Sequence, residues 1–227
     1  MNTLSILLTT FSLLPGLCIS TDFVQQFGLV GPQNLMLLLN GFHFISGHSD
    51  QYLQANHHCV VMSSEFIQCA IYVPGTNPAR LAGVEYIITG EAFAKLPYEE
   101  KQLWHSHMFE VSSGYLLEPG TPDNVDHAIM EILVNSYGKT WHTWPYDSKN
   151  ESLPLGIPDL VNGYTGGGQL PDSLVEERDD DFGTNTTATK IAREDLTVPT
   201  PQAGADAWKD GIILTLSLHN ATGNTTF

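Results

Sequence analysis

Two histidines separated by one residue, His105 and His107, with a carboxylate close behind at Glu110, are the grouping in this chain best suited to chemistry. Imidazoles at i and i+2 of a strand stand on one face and can share one transition-metal ion. A third imidazole from His58, His127 or His142, with Glu110 or Glu131, would complete a ligand set of the catalytic kind, and the cofactor it implies is a divalent transition metal. The composition leans the same way: the chain has nine histidines against nine Lys+Arg, and His43, His48, His57, His58, His105, His107, His127 and His142 all fall in its patterned part. A structural reading competes with the metal one. His107 shares its expected face with Phe109 and Val111, His142 lies between Trp141 and Trp144, and His57-His58 suits a solvated loop. Period-2 geometry puts Glu110 on the opposite face from the two histidines, which argues against its joining both. The three residues from His107 to Glu110 are also too few for the spacing of a cupin. Other chemistries find less support, because there is no G-x-S-x-G elbow, and Cys59 beside His58 points away from it on a strand.

These residues must be positioned by elements that the pattern predicts in outline. Strands are expected over Phe42–His48, Val60–Met62, Ile67–Val73 and Gly83–Thr89; in the last, Val84, Tyr86 and Ile88 share one face and Glu85 and Ile87 the other. A helix is expected over Glu91–Trp104, a strand from His105 to Leu117, a helix from about Asp123 to Tyr137 closed by Gly138, and a short aromatic strand over Trp141–Trp144. Patterning fades after Pro145. The order of elements, with no βαβ period and no glycine-rich phosphate loop, predicts a single α+β domain: a mainly antiparallel sheet, two or three packed helices and a long irregular C-terminal region.

The formal charge of −16 excludes nucleic acid as an expected partner. Residues 1–20 are uncharged and apolar up to Cys18-Ile19-Ser20, which predicts a cleaved signal peptide, a secreted protein and no transmembrane segment in the mature chain. A lead-in over 21–38, a domain over 39–208 and a tail over 209–227 follow. Sequons at Asn150, Asn185, Asn220 and Asn224 would be glycosylation sites in such a chain. Cys59 and Cys69 would remain, either joined in a disulfide or as two buried thiols.

Several stretches, taken in order, carry a resemblance: Phe42-His43 with Gly47, HHC at 57–59 leading to Gln68-Cys69, Ala79-Arg80-Leu81, LPYEEKQLWHSHMFEVSSG at 96–114, YGKTWHTW at 137–144, LPLGIP at 153–158 and ADAW at 205–208. Together they resemble the oil-body-associated protein family, from about Leu39 to Trp208. The resemblance implies a role in the formation or stability of lipid droplets without an established catalytic mechanism. His43, His58, His105, His107, His127 and His142 are the histidines it aligns. The chain lacks an amphipathic basic helix or a long apolar hairpin to grip a droplet. Two functions stand at this point. One is a binding or structural module for a lipid or apolar small molecule, with Trp104, Trp141 and Trp144 lining the pocket. The other is a histidine-dependent, metal-assisted enzyme of lyase or dehydratase type that uses His105, His107 and Glu110.

Overall fold

The computed structural model describes residues 37–144 and 153–220, which fall within one compact unit, Asn34–Phe227. Its frame is antiparallel: β1 (Leu37–Ile45), β2 (His48–Ser63), β3 (Phe66–Tyr72) and β4 (Leu81–Thr89) form a meander through short turns. β4 then pairs with β6 (Ser136–His142), β6 with β7 (Asp159–Gly163), and β7 with β1, so six strands close on themselves. The expected antiparallel sheet with helices is therefore present, but it is a barrel. The β4–β6 pairing across an insertion of three helices and a plug removes the free edges that an open sheet would carry.

Closure is incomplete where β7 is short. It pairs with β6 only at Thr140–His142 and with β1 only at His43–Ile45, leaving a window below. The segment after Trp104 fills that window. Its two-residue strand β5 (His105–Ser106) pairs with Gly138 and Tyr137 of β6, and on the far side Leu117 exchanges backbone hydrogen bonds with Asn40 of β1. Between these ends the chain is helical, α3 (Met108–Ser113), terminated by Gly114 in the left-handed region at φ 80°. This corrects the strand expected over His105–Leu117: the run meets a sheet edge for only two residues, and once that pairing ends its backbone groups are satisfied by a helical turn.

The helix expected over Glu91–Trp104 is two short ones, α1 (Gly90–Ala94) and α2 (Tyr98–Lys101), with Pro97 at the N-cap of the second. The next, α4 (Asp123–Leu133), packs Met130 and Leu133 against the barrel end and stops before Tyr137, because Ser136 onward is strand. The C-terminal region expected to be irregular holds α5 (Asp172–Phe182) and α6 (Thr186–Ala192). Of the acidic run, Glu176, Glu177, Asp180 and Asp181 form the solvated face of α5, which buries Val175 and Arg178.

Inward residues follow the pleat. Leu39, Cys59, Cys69 and Ile87 form a cluster at one end with Val111, Leu116, Met130 and Leu133, while Leu53, Ala55, Ile71, Val161 and Trp144 form another. On four of the six staves the residue between these clusters is polar: His43 on β1, His57 on β2, Glu85 on β4, Thr140 and His142 on β6. Cys59 and Cys69, directly opposite on β2 and β3, are joined by a disulfide.

Candidate metal centre

Glu85 is the middle of the polar layer. Its side chain is 3% exposed, and four imidazoles surround it. His57 Nε2 lies 2.8 Å from Oε2, with His43 Nε2 at 4.0 Å from the same oxygen. His107 Nε2 lies 3.2 Å from Oε1, with His105 Nε2 at 3.5 Å. The barrel wall supplies the first pair and the plug the second. Two glycines make the approach possible: a Cβ at Gly138 would stand 2.7 Å from His105 Nε2, and one at Gly163 would stand 2.6 Å from Glu110 Oε2.

The protonation pattern follows from the neighbours. His57 Nδ1 is 3.3 Å from the Leu39 carbonyl, which can only accept, so Nδ1 carries the proton and donates it there. The Nε2 lone pair is left facing Glu85. At His107 the same result is reached through one more group: Ser136 Oγ donates to the Leu133 carbonyl at 2.7 Å and therefore accepts from His107 Nδ1 at 2.8 Å. Again Nε2 is the free nitrogen, aimed at the other oxygen of Glu85. His57 Nε2, His43 Nδ1 and both ring nitrogens of His105 are buried without a well-formed hydrogen bond. A ring nitrogen pinned by a carbonyl, with its partner nitrogen bare toward a carboxylate, is how proteins orient metal-binding histidines.

Burial is the largest influence on the ionisable groups of the layer. Burial holds the His43 and His107 imidazoles below their ordinary range, only partly offset by Glu85. His142, near His43, is pushed down by burial to about 3. Burial would raise Glu85, but the facing histidines, His57 foremost, outweigh it and hold the carboxyl well below the usual range. Glu110 goes the other way: burial, then the charges of Glu85 and Asp206, keep it well above.

The plug is locked from behind. Asp206 accepts from the Ser106 backbone N–H at 2.8 Å and from its hydroxyl at 2.6 Å, fixing the residue between the two histidines. Arg178, fully buried, donates to the Tyr115 and Gly114 carbonyls, and Arg193 to those of Val111 and Leu116. The carbonyls of the turn that follows α3, Gly114 to Leu116, are thus satisfied by two arginines of the C-terminal region.

Of the residues singled out in the sequence, His105, His107 and Glu110 meet in this chamber. Glu110 does not face away, because a helical turn, unlike a strand, carries i and i+3 to one side. His142 lines the same interior. His58 does not: it points outward from β2 with its ring 5.1 Å from that of Tyr72, since its neighbour His57 takes the inward position. His127 is on α4, 2.9 Å from Asp195. Trp104, Trp141 and Trp144 do not come together. Trp104 packs with Phe93, Met108 and Tyr137, Trp144 sits in the opposite barrel cluster, and Trp141 lies on the outward face of β6. Asn185 caps α6 and is exposed, as is Asn220; Asn150, Asn224 and the expected signal peptide lie outside the described residues. His43, His57 and Glu85 carry the centre without having been assigned to it from the sequence. The available signal was a charged residue sharing a strand face with Ile87.

The fold and the site define a barrel whose interior holds a histidine–carboxylate cluster. The family model described as protein of unknown function (DUF1264) matches residues 31–197, and the chain belongs to that family. It is similar to Oil body-associated protein 1B of Arabidopsis thaliana, 35% identical over 161 residues covering 71% of this chain and 66% of the relative. Oil body-associated protein 1A of Zea mays is 39% identical over 145 residues, 64% of this chain and 60% of the relative. Oil body-associated protein 2A of Arabidopsis thaliana is 33% identical over 166 residues, 71% and 67%. The chain thus spans two thirds or so, and as little as 60%, of the length of these relatives. No solved structure matches. The expectation of an extracellular protein is overturned by these relatives, whose names tie them to oil bodies.

Proposed function

We propose that this protein is a metalloprotein, in which Glu85 and the surrounding histidines hold a divalent transition metal that assists a reaction on a small molecule. One observation carries the reading. The bare Nε2 atoms of His57 and His107 face opposite oxygens of one buried carboxylate, 2.8 and 3.2 Å away, with their other nitrogens committed to carbonyl or hydroxyl partners. Two lone pairs in contact repel unless a proton or a metal ion lies between them, and the imidazole–carboxylate donor set suits Zn, Fe, Ni or Cu. Bound metal would act as a Lewis acid. Elemental analysis of protein loaded with Zn²⁺ and washed should find retained metal, lost in the near-isosteric Glu85→Gln. Wild-type protein that retains none would sink the proposal.

A second reading has its own observation. Described residues at the β2–β3 end and α4 form an apolar groove of about 320 Å³, lined by Leu37, Val61, Ile67, Ile88, Ile129 and Ile132. Together with the names of the relatives, this supports capture of an acyl chain there. Ile132, 70% exposed, is the residue to change: Ile132→Asp should abolish binding of a fluorescent fatty acid, and wild-type protein that binds none would remove this reading.

A further inference from the structure

The two oxygens of Glu85 address two separate histidine pairs. Oε2 faces His43 and His57 from the barrel wall, and Oε1 faces His105 and His107 from the plug. The ligand atoms of His43, His57 and Glu85 lie within 4.8 Å of one another, as do those of Glu85, His105 and His107, but the five do not form one such group. Ligands about 2.0–2.2 Å from one ion cannot stand more than about 4.4 Å apart, so one ion does not reach both pairs at once. We infer that the centre is dinuclear, with Glu85 as the bridging carboxylate, His43 and His57 on one ion, and His105 and His107 on the other. Resting on the metal reading above, this adds the number of ions and their division between wall and plug.

The surroundings fit a two-ion centre. Each pair keeps a buried ring nitrogen that faces Glu85 without a well-formed hydrogen bond, His57 Nε2 on the wall side and His105 Nε2 on the plug side. Glu110, a second buried carboxyl, stands beside His105, since both crowd the same point above Gly163. Bridged pairs of ions typically sit about 3.5–4 Å apart, the span of one carboxylate used through both oxygens.

The test counts ions in the full chain. Wild-type protein equilibrated with Zn²⁺ should retain two equivalents by elemental analysis. Loaded with Mn²⁺, it should give the multiline electron paramagnetic resonance spectrum of an exchange-coupled pair, a readout needing no variant. His43→Asn/His57→Asn and His105→Asn/His107→Asn, checked for folding by circular dichroism, should each retain one equivalent and lose the coupling. One equivalent in the wild type overturns the dinuclear inference while leaving the metal reading intact, as do two equivalents with uncoupled signals; no retained metal overturns both.

Discussion

Ser136 shows how much of the centre depends on groups that never touch a ligand site directly. Its hydroxyl passes the direction of the Leu133 carbonyl on to His107, fixing which ring nitrogen is bare. Ser136→Ala should therefore leave the fold in place and weaken metal retention about 10- to 100-fold, measured by competition with a chromogenic chelator. Unchanged affinity would mean that His107 needs no such orientation. This arrangement was partly visible in the sequence. The HxH pair announces itself by spacing, whereas Glu85 is one polar residue inside an otherwise ordinary strand and His57 lies in a polar stretch that reads as loop. Their importance comes from facing inward, and inwardness depends on register: His57 lies opposite Leu39 and Ile71, and its neighbour His58 takes the outer position.

Among the elements, the plug is the part that sequence periodicity described least well. The mixed run His105–Leu117 suits either a strand or a helix, and only the window left by short β7 decides between them. The same window makes glycine obligatory opposite the plug. Gly163→Ala would drive a methyl into Glu110 Oε2 and the His105 ring, so it should reduce metal retention and lower the melting temperature together. The C-terminal helices, which looked like loop, serve the plug as well. Replacing Arg178 by Met strands the carbonyls of Gly114 and Tyr115 along with Asn40 and Thr186, and should cost about 3–5 kcal/mol in chemical denaturation. A loss under 1 kcal/mol would show that water can replace the guanidinium.

At the scale of the whole molecule, strand order and closure lay beyond the pattern. The meander β1 to β4 could be anticipated from turns, but the β4–β6 contact joins segments separated by the entire plug, and nothing local encodes it. The disulfide adds a covalent tie between adjacent staves. It closes a loop with sequence separation 10, so the Cys59→Ser/Cys69→Ser protein should be less stable by about 2–3 kcal/mol while keeping the barrel, as read by urea denaturation and far-ultraviolet circular dichroism.

Because Glu85 stands on the wall while His105 and His107 come from the segment that fills its window, an ion held by all three would be a rivet. Backbone amides from His105 to Ser113 should exchange with deuterium faster after chelation, while those of β2 and β3 keep their protection. The filled window would then be a door that the metal keeps shut.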